Sequence, residues 1–319
     1  MREIIALKYA NPAYPAKLGH LFDFVDCSKG FGALAETDLK KIKVLVTAGL
    51  LGASDEEMSM LPNLGLIACV GTGFENVDLS AARGRGILVT HGAGVNAGAV
   101  ADQALGLLLS AVRGIPRQDS IARAGGWNAG WKPAPMVSGK KVGIYGMGRI
   151  GEAIAKRAIG FDMQVMYFSR SRKEDLPYRY LPTLLELADA CDFLVSCVPG
   201  GEKTHHSISR EVLRALGPSG YFVNVGRGTA ISSEVLASAL SDGTIAGAGL
   251  DVYDTEPTVP EALRGLENVV LTLHTASYAP EIQEITAAAL AKNIQLFLDE
   301  GRVITPVPGM PSSSNSFMG

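Results

Sequence analysis

Cysteine is scarce in this chain: four among 319 residues, at Cys27, Cys69, Cys191 and Cys197, with no C-x-x-C pair. That excludes a disulfide scaffold and suits a reducing compartment, so the expected location is cytoplasmic. Excess charge of one sign is missing too, since 29 Lys plus Arg against 32 Asp plus Glu leave −3. So small a balance excludes a strong electrostatic footprint for nucleic acid or an anionic membrane, and neither is expected as a partner. Long apolar runs are absent. The longest, 99–112, is broken by Asp102 and Gln103 and is too short to span a bilayer. The opening residues 1–8 read as a strand and lack the apolar core of a secretory signal. There is no internal repeat. Low complexity is confined to 306–319, a Pro-, Ser- and Gly-bearing tail expected to lie loosely on the surface. His205 and His206 have no Cys or acidic cluster of metal-ligand spacing around them, so no metal is expected.

What is present is a rhythm of short apolar runs bounded by glycine or polar residues. They fall at 4–7, 44–47, 66–70 and 87–90, then at 142–145, 165–168, 193–197, 221–225 and 246–250. Most are apolar throughout rather than alternating, as strands buried on both faces must be. Helical patterns separate them at 149–159, 181–190, 210–216 and 232–241, with longer helices at 96–112 and 280–299. Strand, helix, strand in succession predicts an α/β fold, and the length allows two Rossmann-like, doubly wound parallel-sheet domains.

Gly146-Met147-Gly148-Arg149-Ile150-Gly151 is a G-x-G-x-x-G directly after an apolar strand and opening a helix. Gly146 permits the tight turn, Gly148 lets backbone approach a pyrophosphate, and Gly151 allows close helix packing. Phosphate then meets the free N–H groups at the helix start, around Arg149 and Ile150. The second strand ends Ser169-Arg170-Ser171-Arg172, with no acid before Glu174. An Asp or Glu there would hold a free ribose 2′-hydroxyl, whereas hydroxyls and guanidinium groups suit a 2′-phosphate. NADP, as NADPH, is therefore the expected cofactor, with NAD second. The dinucleotide-binding domain is expected at 98–282, and a discontinuous substrate domain at 1–97 plus 283–319.

Five blocks, in order, carry a resemblance over almost the whole chain. They are Val70-Gly71-Thr72-Gly73-Phe74-Glu75-Asn76-Val77-Asp78, the glycine loop, Asn224-Val225-Gly226-Arg227-Gly228, Leu250-Asp251-Val252-Tyr253-Asp254-Thr255-Glu256-Pro257, and His274-Thr275-Ala276-Ser277. In these the chain resembles the D-isomer-specific 2-hydroxyacid dehydrogenase family. The resemblance implies that Arg227, Glu256 and His274 are the catalytic residues. The chemistry agrees: reducing a 2-keto acid needs a grip on the carboxylate, polarisation of the ketone and a proton for the developing alkoxide. Arg227 offers a permanently charged fork, His274 a proton donor, and Glu256 a partner that orients the ring and favours the imidazolium.

The same resemblance implies that Val70 and Gly71 present backbone N–H groups to the substrate carboxylate, and that Asp251 holds the nicotinamide carboxamide. Val198, Pro199 and Thr204 fall in a loop beside the cofactor, with Val225 and Ala276 near it. Within the glyoxylate and hydroxypyruvate reductase branch, a Trp reaches the neighbouring subunit's site. Trp131 is the candidate, Trp127 the alternative, and a homodimer is implied. The expected activity is NADPH-dependent reduction of glyoxylate or hydroxypyruvate to the 2-hydroxy acid. The alternatives are a dehydrogenase of the 2-ketogluconate, phenylpyruvate or 3-phosphoglycerate type, or a non-enzymatic dinucleotide-sensing scaffold. The chain departs from the family at Leu273, where Pro is usual before the His, and at Tyr278 and Ala279. Those positions bear on substrate preference. No regulatory domain is expected after residue 300.

Overall fold

A computed structural model describes residues 2–32, 34–128 and 130–317. Met1, Ala129, Met318 and Gly319, which fall within segments read above, lie outside the described residues. The chain forms two compact units, Met1–Asn96 with Ala279–Gly319, and Ala97–Tyr278.

The first unit carries β1 (Ile4–Leu7), α1 (Ala13–Leu18), β2 (Asp23–Asp26), α2 (Glu36–Leu39), β3 (Val44–Ala48), α3 (Asp55–Ser59), β4 (Leu66–Val70), α4 (Leu79–Gly84) and β5 (Leu88–Thr90). The strands make one parallel sheet in the order β2-β1-β3-β4-β5. Side chains alternate between two cores. Ile5, Leu7, Val44, Val46, Leu66 and Ala68 pack on one face, and Ala6, Leu45, Ile67 and Cys69 on the other. A run buried on both faces has to be apolar throughout, which is why these strands stand out in the sequence. The helix at Pro280–Glu300 covers the first face with Ala287, Leu290 and Ile294, beside Tyr14 and Leu18 of α1. Its proline sits in the first turn, where no N–H is missed, and Gly301 at φ 65° stops it.

The second unit carries α5 (Ala97–Arg113), α6 (Ile115–Arg123), β6 (Lys141–Tyr145), α7 (Arg149–Ile159), β7 (Gln164–Phe168), β8 (Arg179–Tyr180), α8 (Leu184–Ala190), β9 (Phe193–Ser196), α9 (Arg210–Leu216), β10 (Tyr221–Asn224), α10 (Ser233–Ser241), β11 (Gly247–Leu250), α11 (Glu261–Arg264) and β12 (Val269–Leu271). Its seven-stranded parallel sheet runs β12-β11-β10-β9-β6-β7-β8. The order reverses between β6 and β9, the switch point where such sheets take ligands at the strands' carboxyl ends. Val142, Ile144, Phe193, Val195 and Val223 face α5 and α7, while Leu194 and Phe222 face α8, α9 and α10. Helix α5 lies so near the sheet that a Cβ on Gly249 would stand 2.9 Å from Leu107 Cβ.

Two parallel-sheet α/β units match the expected fold class. Three strands fall outside the apolar runs named above: β2, β8 and β12. Each is a sheet edge, paired on one side only; β2 reads Asp-Phe-Val-Asp and β8 Arg-Tyr, whereas β12 is a short apolar Val-Val-Leu. The tail corrects the sequence reading. Rather than lying loose, it buries Val307 and Met310 in the first unit's core, and Val307 N–H donates to Val89 O at 2.9 Å. Two apolar residues among prolines and serines are enough to dock it. Among the described residues, no single helix is long and apolar enough to cross a membrane.

Candidate active site

The glycine loop leaves β6 at the switch point. Gly146 sits at φ 101°, a conformation that side-chain-bearing residues avoid. A Cβ on Gly151 would stand 2.2 Å from Gly146 O, so only glycine lets α7 rise against the turn. Around Gly148 the opposite holds, since nothing lies within 4 Å of where a Cβ would be. Gly148 is also the N-cap of α7 and brings no capping side chain. Open space above an uncapped helix start fits a pyrophosphate, which the first N–H groups and the helix dipole would hold. At the end of β7, Arg170 and Ser171 are exposed and Ser169 Oγ donates to Ser171 O at 2.7 Å. Glu174, the nearest acid, is 3.3 Å from Arg172 in an exposed ion pair. Lys173 N–H, donating to Tyr167 Oη at 2.8 Å, ties the loop back to the sheet. Val198 is buried, and Thr204 Oγ1 donates to Pro199 O at 2.7 Å, closing their loop on itself.

Arg227 follows β10 in a sharp turn. Asn224, fully buried, builds that turn: its Nδ2 donates to Arg227 O at 3.0 Å and its Oδ1 accepts from Gly226 N–H at 3.2 Å. Arg227 Nη1 donates to Gly226 O at 2.9 Å. His274 and Glu256 meet directly, Nδ1 to Oε2 at 2.8 Å, with side chains 34% and 21% exposed. Burial pushes the Glu256 carboxyl up. The His274 ring N–H, the Tyr253 backbone N–H at 3.0 Å and the charges of His274 and Arg227 outweigh it, and hold the carboxyl below its ordinary value. An ionised carboxylate only accepts, so Nδ1 carries the proton toward it. Nε2 is left as the ring atom that can exchange one with a substrate.

His274 has φ 55°, a left-handed backbone rare for a side-chain-bearing residue. Such a residue persists only where its surroundings over-determine it. Here Asp251, at the carboxyl end of β11, takes three consecutive backbone donors: His274 N–H on its O at 2.7 Å, Thr275 N–H on Oδ1 at 3.1 Å, and Ala276 N–H on Oδ2 at 3.0 Å. The left-handed turn swings successive N–H groups to one side, and a buried carboxylate meets them.

This second unit carries the sequence signal. Residues 105–276 match the model of the D-isomer specific 2-hydroxyacid dehydrogenase, NAD binding domain. A glyoxylate/hydroxypyruvate reductase of Arabidopsis thaliana is 40% identical over 267 residues, which cover 83% of either chain. The chain belongs to the D-isomer specific 2-hydroxyacid dehydrogenase family. A hydroxyphenylpyruvate reductase of Plectranthus scutellarioides is 41% identical, covering 84% of this chain and 86% of that one. Among solved structures, an NADPH-dependent glyoxylate/hydroxypyruvate reductase of Sinorhizobium meliloti, in complex with NADP and malonate, superposes with a TM-score of 0.89. It is 35% identical and covers 98% of this chain and 99% of that one.

In this dehydrogenase the other expected residues are placed as follows. Val70 ends β4, and Gly71 at φ 76° turns the chain, with nothing within 4 Å of its would-be Cβ. The turn is pinned by Gly92 N–H donating to Gly71 O at 2.5 Å and by Thr72 Oγ1 donating to Asn96 Oδ1 at 2.9 Å. Trp131 packs on the elbow between α5 and α6, with the Arg117 guanidinium 5.7 Å over its ring, while Trp127 is 85% exposed. Val225 and Ala276 are buried. Three residues of this dehydrogenase have no role that the sequence alone suggests: Asn224, Thr272 and Gln103. Asn224 and Thr272 are polar side chains in or beside apolar strands, and Gln103 sits beside Asp102 in a largely apolar helix; that interruption is the available signal.

Proposed function

We propose that this family member is a cytoplasmic, homodimeric reductase that uses NADPH to convert small 2-keto acids, glyoxylate or hydroxypyruvate, to 2-hydroxy acids. The observation that carries the reading is the 2.8 Å contact of His274 Nδ1 with Glu256 Oε2, under the charge of Arg227. The unit at 97–278 takes the dinucleotide. Gly146, Gly148, Arg149, Ile150 and Gly151 cradle its pyrophosphate, and Ser169, Arg170 and Ser171 its 2′-phosphate. Val198, Pro199, Thr204, Val225 and Ala276 lie beside the cofactor, and Asp251 accepts from the carboxamide. When bound, the cofactor supplies the hydride.

The chain does the rest. Arg227 binds the substrate carboxylate and draws charge from the ketone oxygen. His274 delivers the proton from Nε2 as the alkoxide forms, and Glu256 stabilises the imidazolium before transfer. The discontinuous unit offers backbone N–H groups at Val70 and Gly71 to the substrate carboxylate, and Trp131 serves the partner subunit's substrate. A second substrate class, keto acids with an aromatic side chain, is favoured by one observation. Leu273 and Tyr278, flanking His274, are 72% and 77% exposed and offer apolar surface. Purified protein mixed with NADPH and a panel of glyoxylate, hydroxypyruvate, phenylpyruvate and 2-ketogluconate tests both. Oxidation of the cofactor with glyoxylate or hydroxypyruvate bears the reading out. Preference for phenylpyruvate selects the second class, and no turnover with any keto acid refutes the enzyme.

A further inference from the structure

We propose that Thr272 and Gln103 are positioning residues for His274, acting through Asp251; the proposal rests on His274 being the proton donor. The Asp251 carboxylate, 1% exposed, receives a third donor besides the Thr275 and Ala276 amides: Thr272 Oγ1, at 2.6 Å from Oδ1. A hydroxyl has one proton. It is spent on the carboxylate, the shortest and only charged acceptor in reach, in preference to Leu250 O at 3.3 Å. The lone pairs of that oxygen are then free to accept, and Gln103 Nε2 donates to it at 3.0 Å. The result is a one-directional chain of donors, Gln103 to Thr272 to Asp251. It ends on the same carboxylate that holds the two backbone amides directly after the left-handed His274, whose own N–H is held by the Asp251 carbonyl. The Thr272 backbone is held as well, since its carbonyl accepts from Tyr253 Oη at 2.5 Å.

The chain explains an oddity of α5. Its residues Val100, Ala101, Ala104, Leu107 and Leu108 are buried, yet Gln103 stands half-buried among them. A long amide side chain there loses rotamer freedom and must find a partner for its N–H groups. Thr272 is that partner. The carboxylate can rotate about its last bond, and each oxygen serves a different loop amide. A donor fixed on Oδ1 therefore selects the rotation in which Oδ1 meets Thr275 and Oδ2 meets Ala276. Removing it lets the carboxylate swing, and the His274 ring loses its register against the substrate.

The test uses Thr272→Val, which keeps shape and removes the hydroxyl, Thr272→Ser, which restores it, and Gln103→Leu. For Thr272→Val we expect kcat to fall about tenfold while NADPH affinity stays within about twofold; Thr272→Ser recovers most of the loss, and Gln103→Leu falls between. The double variant Gln103→Leu with Thr272→Val should be no worse than Thr272→Val alone, since both cut one chain. A purely structural role would lower the melting temperature of Thr272→Val and leave kcat of the folded enzyme unchanged, which overturns the proposal, as would additive losses. Amide hydrogen exchange at 274–276 reads the clamp without turnover. Faster exchange in Thr272→Val and Gln103→Leu supports the proposal, and unchanged exchange overturns it. A wild-type chain that reduces no keto acid would sink the functional reading instead, and hydrogen exchange alone would then decide whether the clamp exists.

Discussion

Replacing Glu256 by glutamine keeps the shape of the dyad and removes its charge. Glutamine Oε1 can still accept from His274 Nδ1, but its NH2 then faces the Tyr253 N–H that the second carboxylate oxygen accepts from, so the imidazolium loses its counter-ion and that backbone contact is lost too. A hydrogen bond to a charged group contributes about 1.5–3 kcal/mol. The two side chains are 34% and 21% exposed, so water screens part of the interaction and the lower end applies, about 1.5–2 kcal/mol. At 1.36 kcal/mol per factor of ten, kcat for reduction should fall about 10- to 30-fold. The native Glu256 carboxyl is held below the ordinary 4.5, so its contribution to stability is present above that pH and is lost as pH falls through the native value. The melting-temperature gap between wild type and Glu256→Gln should therefore narrow below pH 4.5. Steady-state kcat across pH, NADPH binding by fluorescence and thermal melts cover all three. A variant whose kcat stays within twofold of wild type at every pH, or whose cofactor affinity falls as much as kcat, refutes the dyad.

His274→Ala should cost about 10²–10⁴ in kcat and leave NADPH affinity within about threefold; equal losses of both would contradict its role as proton donor. Arg170→Asp puts a carboxylate where the 2′-phosphate would lie and should move the ratio of kcat/KM values from NADPH toward NADH; an unmoved ratio would show that this loop does not read the 2′-phosphate. Burial pushes the Cys27 thiol up to about 11 and those of Cys69, Cys191 and Cys197 up to about 12. At about pH 8 native Cys27, Cys69 and Cys191 should resist iodoacetamide, with alkylation only after unfolding, and rapid native labelling at any of these three would contradict their burial.

The interior strands are plain in the sequence because each has two neighbours and two covered faces, as in 66–70. Strands β2 and β8 are hidden because an edge strand answers to one neighbour and tolerates Asp23 or Arg179, although β5, also an edge, is apolar and plain. The tail misleads for the opposite reason: composition is an average, and Val307 and Met310 dock it although their neighbours do not. Arg227, Glu256 and His274 are visible through motifs. The Asp251 clamp is not, since it depends on a backbone angle of 55° at His274 that brings three amides round to one residue. In the sequence Gln103 is only a flaw in an apolar run. Its use lies far along the chain, at Thr272, where no local pattern can point.

The docked helix at 280–300 and the buried Val307 and Met310 set an order of assembly. Residues 1–96 leave the ribosome first, yet one face of their sheet stays uncovered until Ala287, Leu290 and Ile294 have been translated. The 97–278 segment holds all the strands of its own sheet and can close while synthesis continues. The portion made earliest is therefore finished last, and in the interval its bare apolar surface is what a chaperone would find on the nascent polypeptide.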